Sequence, residues 1–123
     1  MRKRTHQRKA IRTALEGADR PLSPQEVLEA AQETVPRLGI ATVYRNLRSL
    51  LDDGWLRSVS LPGAPDRYEV AGKQHHHHFH CRECDRVFEV EDCPGDLGSL
   101  CPAGFELDSH EIILYGRCSD CRN

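Results

Sequence analysis

The chain has 123 residues, of which 38% are apolar, enough for one domain or two very small ones with a thin core, since domains typically run ~100–200 residues. Its longest uninterrupted apolar run, Ile112-Ile113-Leu114-Tyr115, falls far short of the ~20 residues of a membrane span or the ~7 of a secretory h-region, so the chain is expected to be soluble, unexported and cytoplasmic, with no membrane partner. The net charge of -2 hides a division: residues 1–72 carry twelve Lys/Arg against nine Asp/Glu, a balance of +3, whereas residues 73–123 carry five against ten, a balance of -5.

Thr5 can cap a first helix in which Ala10, Ile11, Ala14 and Leu15 recur at helical spacing and Gly17 stands near the end; its other face is basic. Ser23-Pro24-Gln25-Glu26 is a stronger start signal, with Ser at N-cap, Pro at N1 and Glu at N3 able to reach back to the cap. Val27, Leu28, Ala30 and Ala31 follow, and the pattern breaks at Val35-Pro36. The spacing of Val43, Leu47, Leu50 and Leu51 predicts a third helix over Ile40 to Asp53, with Gly54 placed to take the left-handed conformation after it. Two extended stretches come next, Trp55–Leu61 and Arg67–Val70, joined by the turn-rich Pro62-Gly63-Ala64-Pro65-Asp66. Three helices and a hairpin with a basic front describe a winged helix-turn-helix, in which the helix before the hairpin enters the major groove of DNA. The plainer alternative is a three-helix bundle with solvated charges. Thr42, Tyr44, Arg45 and Arg48 near the start of the third helix favour DNA, because base edges would lie within their reach.

Ala71-Gly72-Lys73-Gln74 reads as a linker. Beyond it, His75–Cys81, Arg86–Val90 and Glu111–Tyr115 have strand character around an irregular stretch at 93–103, which makes the second half a small α+β module.

All six Cys and six of the seven His lie after residue 74. Cys81-x-x-Cys84 and Cys118-x-x-Cys121 can each turn two sulfurs toward one ion, and four thiolates make a closed, structural tetrahedral zinc site. A redox dithiol lacks its usual sequence context, and disulfides are disfavoured in a reducing compartment. Ahead of the first pair runs His75-His76-His77-His78-Phe79-His80. In a strand, alternate side chains face opposite ways, so His76 and His78 share one face and His75 and His77 the other, and one strand can serve two ions. Glu69 is a candidate partner for the even pair; His110 and an acidic residue between Glu91 and Asp96 are candidates for the odd pair. Cys93 and Cys101 have no partner spacing and read either as ordinary buried thiols or as an oxidation-sensitive extra.

Taken together, Thr5-x-Gln7-Arg8, Ala41-Thr42-Val43-Tyr44-Arg45-Asn46-Leu47, the His run before Cys81-x-x-Cys84, and His110 ahead of Gly116-Arg117-Cys118-x-x-Cys121 resemble the ferric uptake regulator family over nearly the whole chain. The resemblance implies a homodimeric, metal-dependent transcriptional repressor, not an enzyme, that binds double-stranded operator DNA and takes no small-molecule substrate. It implies a winged-helix DNA-binding domain over 1–72 and a metal-binding dimerisation domain over 73–123. Tyr44 and Arg45 would contact operator bases and Lys3 would approach the minor groove. Cys81, Cys84, Cys118 and Cys121 would hold structural zinc. Glu69, His76 and His78 match a hinge sensor site, and His75, His77, Asp96 and His110 an additional site inside the second domain. Some positions depart from the pattern. Arg20-Pro21-Leu22 stands where iron-type members carry a further His, and Ala71 where zinc sensors often place a Cys. Glu69 replaces the Asp common in peroxide sensors, and His77 the Asp common in iron-type members. A hinge set with a carboxylate and no thiolate favours Fe2+ or Mn2+ as the regulatory ion, with Zn2+ as the alternative. Two rivals from other classes are a metal-dependent hydrolase, for which no HExxH, nucleophile elbow or phosphate loop is present, and an intracellular metal buffer, which would not need Tyr44 and Arg45.

Overall fold

The structure, a computed structural model, describes residues 2–122. The chain divides into two compact units, Met1–Lys73 and Gln74–Asn123.

The first unit contains α1 (Arg2–Gly17), α2 (Pro24–Ala31), α3 (Ile40–Asp52), β1 (Leu56–Leu61) and β2 (Ala64–Val70). Thr5 is not the cap of α1 but lies inside it; the unbranched Arg and Lys side chains upstream lose little rotamer freedom in a helix and extend it toward the N-terminus. At α2 both halves of the expected capping box form: the Glu26 amide donates to Ser23 Oγ at 3.2 Å and the Ser23 amide to Glu26 Oε1 at 3.0 Å. Helix α3 stops where Gly54 takes φ 79°; the amides of Gly54 and Trp55 donate back to the carbonyls of Leu51 and Leu50, both at 3.0 Å, which satisfies the last turn.

The hairpin is tighter than expected. β2 begins at Ala64 rather than Arg67, because Pro62 and Gly63, the latter at φ 73°, make the whole turn and Leu61 pairs directly with Ala64. Pro65 is accommodated since β2 has only one long partner and Pro is tolerated on edges. Leu22 adds a short third rung, exchanging backbone hydrogen bonds with Tyr68 at 2.9 and 2.8 Å. Ile11 and Leu15 of α1, Val27 and Ala31 of α2, Val43, Leu47 and Leu50 of α3, and Leu22, Leu38 and Leu56 form one buried core.

The second unit is a three-stranded sheet in the order β4-β3-β5, with β3 (His77–Cys81) at its centre, β4 (Val87–Val90) antiparallel to it and β5 (Ile113–Gly116) parallel. A single 3-10 turn, Gly98–Leu100, interrupts the long connection between β4 and β5. The overall architecture is α+β, as expected.

Candidate metal centres and nucleic-acid interface

The apolar stripe Val43, Leu47, Leu50 of α3 faces the core, so the helical period turns Tyr44, Arg45 and Arg48 outward. Tyr44 is 55% exposed. Arg45 Nη2 donates to Thr42 Oγ1 at 3.0 Å and Asn46 Nδ2 to the Thr42 carbonyl at 2.9 Å, which orders this surface without burying it. The N-terminus of α3, capped by Gly39 with no side-chain acceptor, presents free amides of the kind that attract phosphate. Lys3 and Lys9 are exposed on α1. Arg8 is committed elsewhere: its guanidinium donates to Ser49 Oγ at 2.9 Å and Asp53 Oδ2 at 2.8 Å.

In the second unit the knuckle after β3 carries Cys81 and Cys84, and the turn after β5 carries Cys118 and Cys121. The parallel pairing of β3 with β5 sets Cys81 beside Gly116 and so brings the two pairs together. All four sulfurs lie within 4.8 Å of one another, with Cys81 to Cys121 at 3.7 Å and Cys84 to Cys118 at 3.8 Å. A tetrahedral centre with the ~2.3 Å bonds of zinc to thiolate has sulfur–sulfur edges of ~3.8 Å, so the donor set fits that ion. The amides of Cys84 and Cys118, at 3.5 and 3.3 Å, point at Cys81 Sγ. The Cys84 amide does most to pull its pKa down to about 6, against burial that would raise it. Burial pushes the Cys84 and Cys121 thiols the other way. Thiols with the opposed tendencies of Cys81, Cys84 and Cys121 ionise together most readily around a cation.

The start of β3 divides its histidines by face, as the strand alternation predicts. The His76 and His78 rings lie 4.8 Å apart, and those of His75 and His77 4.5 Å apart. On the odd face His75 Nε2 is 3.1 Å from His77 Nε2 and 3.2 Å from His110 Nε2. The fourth group in this cluster is Cys93, whose sulfur is 3.2 Å from His110 Nε2. Asp96, expected here, is not among the clustered donors; its Oδ1 instead accepts from the Gly98 amide at 2.9 Å. His77 is buried, and that burial, followed by the neighbouring His75, His110, His76 and His78 rings, holds its pKa below the usual value. Its ring is therefore neutral and able to offer a lone pair. The Ile112 amide lies 3.2 Å from His77 Nδ1; an ion on Nε2 would leave the ring proton on Nδ1, so this contact has to lengthen on loading.

On the even face, Glu89 Oε1 is 3.6 Å from His76 Nε2. Glu89 is a carboxylate that sequence reading missed, since only the β3–β4 register, with His78 opposite Glu89, puts it there. Glu69 belongs to the first unit, on β2 opposite Arg57, whose Nε is 3.3 Å from Glu69 Oε2. The stretch that departs from the iron-type pattern has local duties: Arg20 Nη2 pairs with Glu26 Oε2 at 2.6 Å, and Leu22 joins the core and the wing.

A winged helix with an exposed Tyr–Arg face, followed by a unit with thiol and imidazole clusters, defines a class: a DNA-binding protein whose second half is built to hold metal ions. The chain belongs to the ferric uptake regulator family, whose profile matches residues 2–115. It is 35% identical to a ferric uptake regulation protein of Campylobacter jejuni, over 98% of this chain and 80% of the relative. It is also 35% identical to a zinc uptake regulation protein of Mycobacterium tuberculosis, over 97% of this chain and 94% of the relative. Among solved structures, a zinc-bound manganese uptake regulator superposes with a TM-score of 0.79 at 26% identity, covering 91% of this chain and 87% of that one. Members of the family are metal-responsive transcriptional regulators, not enzymes. The relatives' names cite three different metals. Among the described residues no helix is long and apolar enough to cross a membrane.

Proposed function

We propose that the protein is a cytoplasmic, homodimeric repressor that grips operator DNA when a divalent cation is bound and releases it when the cation is lost. The outward face of α3 carries this reading, because a metal buffer has no use for Tyr44 and Arg45 exposed at the start of a helix whose opposite side is core. In this reading residues 1–72 form the DNA-binding domain, with Tyr44 and Arg45 on base edges and Lys3 at the minor groove, and residues 73–123 form the dimerisation domain. The edge strand β5 supports pairing of two copies, since its Leu114 and Tyr115 are exposed, as is Phe105 before it. A two-fold dimer would present its reading helices about one DNA turn, ~34 Å, apart.

Zinc in the Cys81, Cys84, Cys118, Cys121 centre is structural, because four thiolates leave no open position. The regulatory ion is held by Glu69 with His76 and His78. These residues belong to different domains, so an ion held by all three would restrain the linker at Gly72, and it shifts the equilibrium only by its differential affinity for the restrained arrangement. One carboxylate and two imidazoles, without sulfur, favour Fe2+ or Mn2+. The identity to a zinc uptake regulation protein along nearly the whole chain supports Zn2+ as the second reading. Operator titrations by fluorescence anisotropy, in chelator and then in Mn2+, Fe2+ or Zn2+, test the switch. One of these ions should tighten binding at least about tenfold, equivalent to ~1.4 kcal/mol; equal affinity in every buffer would remove it.

A further inference from the structure

We infer that Cys93, rather than Asp96, completes the donor set of His75, His77 and His110, which makes this a three-imidazole, one-thiolate site selective for zinc-like ions over manganese. The inference rests on the metal-binding half of the proposed function and not on its DNA-binding half.

The topology brings the four donors to one end of the sheet. β3 is central, His77 is its first residue, and His75 precedes it. Val90, the last residue of β4, pairs with His77, so the chain leaving β4 reaches Cys93 three residues later. His110 lies three residues before Ile113, where β5 begins alongside His78. Cys93 and His110 thus approach the start of β3 from its two flanking strands. The separations of 3.1, 3.2 and 3.2 Å, for His75 to His77, His75 to His110 and Cys93 to His110, are somewhat shorter than the ~3.3–3.6 Å edges of a tetrahedron with nitrogen bonds of ~2.0–2.1 Å and a sulfur bond of ~2.3 Å, so the donors need move apart by only a few tenths of an ångström to take up one ion.

Hydrogen bonding alone explains the cluster poorly. His75 Nε2 and His110 Nε2 each face two other donors or acceptors, whereas a neutral ring nitrogen carries either one proton or one lone pair. One cation would use all four lone pairs at once. Asp96 is drawn away by its own turn, where it binds the Gly98 amide. Replacing a carboxylate by a thiolate also changes what the site accepts: imidazole with thiolate suits zinc and its softer neighbours, while manganese, magnesium and calcium prefer oxygen. Coordination releases the Cys93 thiol proton to water and requires no oxidant. The hinge donors contain no sulfur, so on this assignment the two histidine faces of one strand prefer different metals.

Cobalt(II) titration of the full-length protein, with zinc retained in the four-cysteine centre and verified by metal analysis, tests this directly. A sulfur-to-cobalt charge-transfer band in the near ultraviolet can then come only from Cys93 or Cys101, and Cys93→Ser separates the two. The band should grow to one cobalt per chain and persist in a large excess of Mn2+. Cys93→Ser should abolish it and weaken cobalt binding at this site by more than the ~10–100-fold lost when an outer-shell partner is removed; Asp96→Asn should leave band and affinity unchanged. Absence of the band from the wild-type protein overturns the assignment without reference to any variant, as does its persistence in Cys93→Ser or its loss in Asp96→Asn. None of these spectra involves DNA. Metal-independent operator binding would therefore sink the switch and leave the site standing, and the reverse failure is equally separable.

Discussion

Arg8 and Asp53, 45 residues apart in sequence, meet at 2.8 Å, and the same guanidinium reaches Ser49 Oγ at 2.9 Å. One side chain of α1 thus anchors the C-terminal end of α3, the helix whose other end carries Tyr44 and Arg45. The pair is partly exposed, so Arg8→Ala should cost only ~0.2–1 kcal/mol from the ion pair, with a little more for the lost Ser49 bond. Lys9, exposed on the neighbouring position, makes the contrasting case. Lys9→Ala should weaken binding to all DNA sequences and lower the slope of log K against log salt by ~1, as loss of one phosphate contact does. Arg8→Ala should lower the melting temperature and leave that slope unchanged. Salt titrations of both variants against operator and random duplex check this; a reduced slope in Arg8→Ala would mean that Arg8 faces phosphate after all.

Tyr44 and Arg45 should affect choice of sequence more than overall affinity. Arg45 is held by Thr42 in a pose that leaves its guanidinium exposed, ready for a bidentate contact to a guanine edge. Arg45→Ala should cost ~1–3 kcal/mol on operator and much less on random DNA. Tyr44→Ala should narrow the gap between operator and single-substitution variants of it. Competition binding against a panel of such variants measures both effects, and a uniform loss across the panel would reassign these residues to phosphate contacts.

Glu26 makes the first unit acid-sensitive. Burial alone would raise its pKa, but the Arg20 guanidinium at 2.6 Å and the Ser23 amide at 3.0 Å outweigh burial and hold the carboxyl below its ordinary 4.5. A depressed carboxyl contributes stability that is complete above the unfolded value and is lost as pH falls through the folded one. Near neutrality Glu26→Gln should therefore lose about 1 kcal/mol, or ~4–8 °C for a domain of this size. Once the pH falls below the depressed folded value the wild-type carboxyl is itself protonated, and the two melting curves should converge. Thermal melts across that range would refute the assignment if the gap between the proteins stayed constant.

Features written within a few residues were legible in the chain alone. Ser23-Pro24-x-Glu26 specifies its own capping box, Gly54 its own helix stop, and each CxxC its own knuckle, because all partners lie within one turn of each other. The division of the histidines by face was legible for the same reason, since it needs only the strand period. Long-range pairings were not. Arg8 reads as one more basic side chain until α3 packs against α1 and brings Asp53 beside it. Glu89 reaches His76, and Cys93 reaches His110, only through the register of β4 and β5 on β3, and no local spacing encodes that register. For the same reason the sequence offers Asp96 as a donor on its chemistry, while nothing local shows that its Oδ1 accepts from the Gly98 amide.

The second unit should depend on metal in a way the first does not. Its sheet has three short strands, of which Cys81 and Val87 are the fully buried members, whereas the first unit closes around Ile11, Val27, Val43, Leu47 and Leu50. A unit this small rarely stabilises itself by apolar burial. Cys81 accepts amide hydrogen bonds at its sulfur from Cys84 and Cys118, and its carbonyl accepts one from Asp85 at 3.0 Å, so the knuckle is organised around the sulfur that a cation would hold. Structural zinc is worth ~10–16 kcal/mol to zinc-finger peptides near neutral pH, more than this sheet can supply. Cys81→Ser, or exhaustive chelation of the wild type, should abolish hydrogen-exchange protection at the β3 amides of His78 to Cys81 while protection at Val43, Leu47 and Leu50 persists. Retained protection in β3 after complete demetallation would show that the sheet stands on its own packing and that the four-cysteine centre is not a folding requirement.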